Sequence, residues 1–195
     1  LMASCTHKEL CYDHSHVVEV NVGFVWDKAR QATPKSMSVY FFPESGGESI
    51  RYEFVGHNGG QVRLARGKYH AICLNSDTRN VRIDNPDDFN SFCISTKGSE
   101  SMYGLATFGI TANDIPQVKG TEEERVVLSP EMIWSSSMTD IEIKNDNQDI
   151  IFHPERIITN FTVEIRNVRN LKWVNGISGT ISSMSGGYHS GKWSL

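Results

Sequence analysis

Residues 17–26 read VVEVNVGFVW. Val18, Val20, Val22, Phe24 and Trp26 fall on one side of an extended chain, and Glu19, Asn21 and Gly23 on the other. A period of two with apolar residues on one side is the mark of a half-buried β-strand. The same alternation recurs downstream. IRYEFV (50–55) puts Ile50, Tyr52 and Phe54 together, and SMSVYFF (36–42) is a compact apolar run following a Thr-Pro loop. PESGGES and GHNGG read as turns. QVRLARGKYHAICLNSD reads as a strand, a turn at Gly67 and a second strand, and SFCIST as another strand. Turns thus recur every 8 to 12 residues or so from Val17 to Phe92, the spacing of an antiparallel sandwich or open barrel.

Two short helical turns are expected among the strands. In DNPDDF, Asn85 stands where an N-cap would, with Pro86 at the first helical position; in LSPEMIW, Ser129 and Pro130 do the same. DIEIKND (140–146) and DIIFH (149–153) read as strands joined by an Asn/Asp turn. ERIITNFTVEIRNV (155–168) is the longest strand-like run, with Ile157, Phe161, Val163 and Ile165 on one face. The expected fold is all-β, with two antiparallel β-sandwich units. An N-terminal tether occupies 1–16, a first domain 17–125, and a second domain 126–195 whose few strands leave it incomplete.

The 195 residues carry a net charge of −4, are 38% hydrophobic and 22% charged. That is a globular composition. Lys and Arg are scattered, which argues against nucleic acid, since phosphate binding needs a clustered basic face. No run reaches the ~18 to 20 apolar residues of a membrane-spanning helix. No Gly-rich phosphate loop and no GxSxG elbow is present. No catalytic residue and no cofactor is expected. His57, His70, His153 and His189 read as isolated, and NDNQD (145–149) as a turn lacking the Gly and distal Glu of a calcium loop. Asn160-Phe161-Thr162 is a formal glycosylation sequon within a strand-like run. Cys73 and Cys93 lie in apolar runs and read as small buried hydrophobes, with a Cys73–Cys93 disulfide as the other reading.

SCTHKELCYDHSH, residues 4–16, concentrates two cysteines and three histidines. Cys11, His14 and His16 form a candidate metal set, but the spacing matches no common structural zinc pattern. The residues just before favour an anchor. Leu1 and Met2 are apolar and Ala3 and Ser4 small, so LMAS-Cys5 resembles a bacterial lipobox with Cys5 as the lipidated thiol. On that reading the chain begins inside a signal peptide, and a palmitate-type lipid at Cys5 holds the protein on a membrane without spanning it. The histidines are then part of a short tether.

SCTHKELCYDHSH, VEVNVGFVWDKA, SMSVYFFPESGGE and GKYHAICLNSDTRNV, with VVLSPEMIW and TVEIRNVRNLKWVNGISGTISSMSGG further on, resemble Bacteroidales lipoproteins. These are related to the fimbrial anchor and minor subunits of the fimbrillin superfamily, and the resemblance covers nearly the whole chain. It implies two β-sandwich domains of transthyretin-like topology, a lipid on Cys5 and an outer-membrane location. It also implies an anchor, minor or tip role in a surface fimbria whose subunits join by β-strand exchange, which needs an exposed sheet edge. The alternative is a surface lipoprotein binding glycan or peptide on the same scaffold, with Tyr40, Trp134, Trp173 and Tyr188 as the aromatic candidates.

Overall fold

A computed structural model describes residues 17–98, 119–120, 127–173, 181 and 184–192. They form eleven strands and no α-helix. β1 (Val17–Phe24) is the alternating segment, and its Val18, Val20, Val22 and Phe24 are all buried. It lies at the centre of a three-stranded sheet, antiparallel to β4 (Gly59–Ala65) and parallel to β9 (Gln148–Phe152). A second sheet has the order β10 (Glu155–Arg156), β8 (Trp134–Ile143), β5 (Gly67–Asn75), β2 (Ser36–Pro43), β3 (Ile50–Val55), antiparallel throughout.

These two sheets face each other across one core. Val18, Val20, Val22, Val62, Leu64, Ile150 and Phe152 come from the first sheet, and Met37, Val39, Phe41, Phe54, Tyr69, Cys73, Ile141 and Ile143 from the second. Inward side chains of facing sheets interdigitating in this way make a β-sandwich. The other face of the second sheet is covered as well. Tyr40 and Phe42 of β2 and Ile72 and Leu74 of β5 pack on Phe89, Phe92 and Ile94. Ile94 belongs to a third sheet, β11 (Gly187–His189), β7 (Cys93–Thr96), β6 (Val81–Asp84). Burial on both faces explains why β2 is a continuous apolar run and not an alternating one: a strand between two cores has no solvent side.

The chain changes sheets at tight turns. Between β3 and β4 the turn depends on Gly59, at φ +94°. A Cβ there would lie 2.0 Å from the Val22 carbonyl oxygen, so only glycine fits. Between β8 and β9, Asn147 adopts φ +59°, and its N–H donates to the Glu19 carbonyl at 2.7 Å. The Asp146 carboxylate accepts from the Glu19 N–H at 3.1 Å. NDNQD is therefore a turn stitched to β1.

Several expectations change. The proposed boundary at 125/126 falls ahead of strands that enter both main sheets: β8 pairs with β5, and β9 with β1. Strands β8 to β10 thus share one sandwich with β1 to β5. The strand expected at 140–146 begins earlier, at Trp134, because SSSMTD carries no apolar alternation to announce it. Asn85 is no N-cap: its φ is +52°, outside the extended region an N-cap occupies, and a turn follows in place of a helix. Ser129 and Pro130 lie in non-helical chain. Cys73 and Cys93 are free thiols. Cys73 is buried in the core between the main sheets and Cys93 lies in the third sheet, so no disulfide joins them. Burial pushes the Cys73 thiol far above its ordinary value.

Candidate functional site

The lipidation residue Cys5, the lipobox residues Leu1, Met2, Ala3 and Ser4, and the metal candidates Cys11, His14 and His16 all lie outside the described residues. No cluster of three metal-ligating side chains occurs among the described residues. No described helix is long and apolar enough to cross a membrane.

The aromatic candidates separate. Tyr40 is buried, with Arg51 over its ring and Phe92 edge-on at 5.0 Å; it is a core residue. Tyr188 packs against the second core from β11. Trp173 is 76% exposed, beside the Lys172 ammonium. Trp134 is part-exposed and meets Trp26 at 6.3 Å, the two rings almost perpendicular.

The alternation of β1 predicts an inward position for Trp26. That residue leaves the strand's end and packs on the rim of the main core. Its ring N–H donates to the His57 carbonyl at 2.9 Å, which fixes the indole. Its neighbour Asp27 accepts from the His153 ring at 2.9 Å and from the Lys28 N–H at 3.0 Å. The His153 hydrogen bond is the main reason the Asp27 carboxyl sits below its ordinary value. Lys28 reaches Glu155 at 3.4 Å. His57 and His153, read as isolated, are thus joined to this rim by the β3–β4 turn and by the crossing from β9 to β10. The legible signal was a tryptophan at a strand's end followed directly by Asp-Lys. The partners 30 or more residues away carried none.

A second feature lies beyond β10. Ile157 and Ile158 pack against the second core, and the Ile157 N–H donates to the Ile133 carbonyl at 3.1 Å. After them the chain leaves the sandwich. Residues 159–166 are in no strand, although they belong to the longest strand-like run of the sequence. Phe161, Val163 and Ile165 are 62%, 69% and 65% exposed. Asn160 of the sequon is exposed too. Asn167 and Asn170 adopt φ near +60°, which bends the chain, and β11 returns to pair with β7. Exposed large apolar side chains grouped in one stretch are the kind of surface that contact sites use.

The family described as Domain of unknown function (DUF5119) matches residues 4–195. A curated protein of Bacteroides ovatus, "Putative fimbrium anchoring subunit Fim4B", is 20% identical over 194 residues, 98% of this chain and 53% of its own length. A solved structure described as a "putative adhesin" from Bacteroides ovatus superposes with a TM-score of 0.57 at 18% identity. It covers 80% of this chain and 50% of that one. At such identity the likeness shows the fold alone, an all-β fold shared with an adhesin-like structure. The chain spans about half the length of both relatives.

Proposed function

This chain belongs to the family described as Domain of unknown function (DUF5119), and from that membership we propose that it is a lipid-anchored surface subunit of a fimbria-like assembly, serving as anchor, minor or tip subunit with no catalytic role. The observation that carries the reading is the similarity to a protein named as a fimbrium anchoring subunit, which extends over 98% of this chain. It supports a fimbrial or adhesin-like role at the cell envelope.

The finer parts of the proposal rest on the chain itself. Cys5, preceded by Leu1, Met2, Ala3 and Ser4, is the residue that would carry the lipid and hold the protein at the outer membrane. Fimbrial subunits are the proposed partners, joined by β-strand exchange. Residues 159–166 support this, because their backbone is in no sheet while their apolar side chains alternate as in a half-buried strand.

The test is intact mass and membrane partitioning of the protein expressed in a Bacteroidales host behind a lipoprotein leader, beside Cys5→Ser. A lipid on the parent that pellets with outer membranes, and a soluble unlipidated variant, is the expected result. Identical soluble behaviour of both would remove the anchor. Affinity capture of fimbrial subunits by the parent, weakened by Val163→Glu, tests the assembly role separately.

A further inference from the structure

We propose that the end of the sandwich built by Trp26, Trp134, Asp27 and His153 is a binding site for a neutral oligosaccharide. A pyranose ring would stack on indole, and its hydroxyls would be held by the Asp27 carboxylate and the His153 imidazole.

Two part-exposed indoles meet here in an L, with centroids 6.3 Å apart and planes at 89°. The face of an indole is the negative part of its quadrupole, and it attracts polarised C–H bonds such as those lining one face of a pyranose. Trp26 is oriented by its N–H bond to the His57 carbonyl at 2.9 Å and by packing on the core rim. A fixed ring loses little entropy when a ligand arrives. The corner is set before binding.

The polar side chains at this end of the sandwich are exposed. The His153 and Asp27 side chains are 47% and 53% exposed, and those of Lys28 and Glu155 are 54% and 55% exposed. All four reach solvent and can exchange water for a ligand's hydroxyls. A carboxylate has room for about four hydrogen bonds, so Asp27 keeps acceptor capacity beyond Lys28 N–H and His153. Few placed polar groups around an apolar surface is the usual composition of a small-ligand site.

Charge selects among ligands. The Asp27 carboxylate lies against the His153 ring and the Glu155 carboxylate against the Lys28 ammonium. Arg156, opposite Trp134 in the β10–β8 register, is exposed as well, so the rim carries both signs and no cluster of like charge. A neutral polyol fits both the aromatic faces and the balanced polar rim. This site shares no residue with the exposed stretch at 159–166, and it stands or falls independently of fimbrial assembly.

The experiment uses the 195-residue chain on a printed panel of neutral hexose, xylose and N-acetylhexosamine oligomers, with sulfated and sialylated oligomers and a Pro-rich peptide alongside. Responders are then titrated by tryptophan fluorescence and calorimetry. The expected result is binding of neutral oligomers with a change in indole emission. Asp27→Ala should weaken it by about tenfold or more, the loss expected for a hydrogen bond to a charged group, with the melting temperature little changed. Trp134→Leu should abolish it, and Trp173→Ala should leave it intact. Absence of binding to every neutral oligomer, preference for the anionic oligomers or the peptide, or full affinity in Asp27→Ala would each overturn the proposal. Because Asp27 is a surface residue, that last comparison holds even if Trp134→Leu unfolds.

Discussion

Asn75 and Trp134 are joined by a hydrogen bond of 2.9 Å in which the Trp134 backbone N–H donates to the Asn75 side-chain oxygen. Asn75 is only 1% exposed, and its amide nitrogen donates to the Met132 carbonyl at 3.1 Å and to Asp77 at 2.8 Å. One buried amide thus ties the end of β5 to the entry of β8, across 59 residues of sequence. It also sets where Trp134 emerges beside Trp26.

Asn75→Ala should therefore be costly. It strips partners from the Trp134 N–H and the Met132 carbonyl, and buried polar groups left unpaired cost about 1–3 kcal/mol each. We expect a loss of about 2–4 kcal/mol, read as a lower urea midpoint at unchanged slope. A midpoint within error of the parent would show that water replaces the amide.

The fold class was legible because β1 alternates and one turn follows another at short intervals. Where the signal failed, the reason is local. β2 is buried on both faces, so its strand register could not be read from alternation. SSSMTD in β8 has serines where a core strand has aliphatics. Ser135 is nonetheless buried, because its hydroxyl donates to the Cys73 carbonyl at 2.8 Å. The run at 155–168 misled in the opposite sense: its pattern is that of a strand, yet pairing needs a neighbour, and beyond β10 none lies beside it among the described residues. Of the candidate site, Trp134 was legible as an aromatic. The Asp27–His153 contact was not, since 126 residues separate the partners.

Two glycines with similar φ separate steric from conformational cost. Gly59 and Gly46 have φ +94° and +87°. A Cβ at Gly46 would meet nothing within 4 Å, whereas at Gly59 it would strike the Val22 carbonyl. Gly46→Ala should cost about 1 kcal/mol, the penalty of a left-handed alanine. Gly59→Ala should cost clearly more, because β4 must move off β1, and its thermal unfolding should occur several degrees below that of Gly46→Ala. Equal melting temperatures would mean that the turn shifts freely.

Acid should unfold the protein through its carboxylates. Asp27 is held low by His153, Asp88 by the Ser91 hydroxyl and the Asn90 N–H, and Glu142 by Lys144. At Glu131 burial acts to raise the value, and the N–H groups of Asn80 and Arg79 outweigh it. A carboxyl whose folded value lies below its unfolded one contributes stability that is complete above the unfolded value and vanishes as pH falls through the folded one. Ordinary values here are 3.8 and 4.5. Stability should accordingly be flat from neutral pH down to about 5 and decline below it. Glu131→Gln should lower stability at neutral pH and make the acid decline shallower. An unchanged acid limb in that variant would remove Glu131 from the account.

Residues 159–172 should be where a protease enters. A protease needs extended, unpaired chain, which folded strands deny it and exposed segments supply. Arg166, Arg169 and Lys172 lie in exposed chain outside any β-strand, whereas Arg63 and Lys68 lie within β4 and β5. Among the described residues, brief trypsin treatment should cut first after Arg166, Arg169 or Lys172, as identified by intact mass. Because β11 pairs with β7, the two fragments should stay together on gel filtration and separate in denaturant. If a captured fimbrial subunit covers Phe161, Val163 and Ile165, the same cuts should slow in its presence. Equal cutting rates with and without the subunit would place its contact elsewhere on the chain.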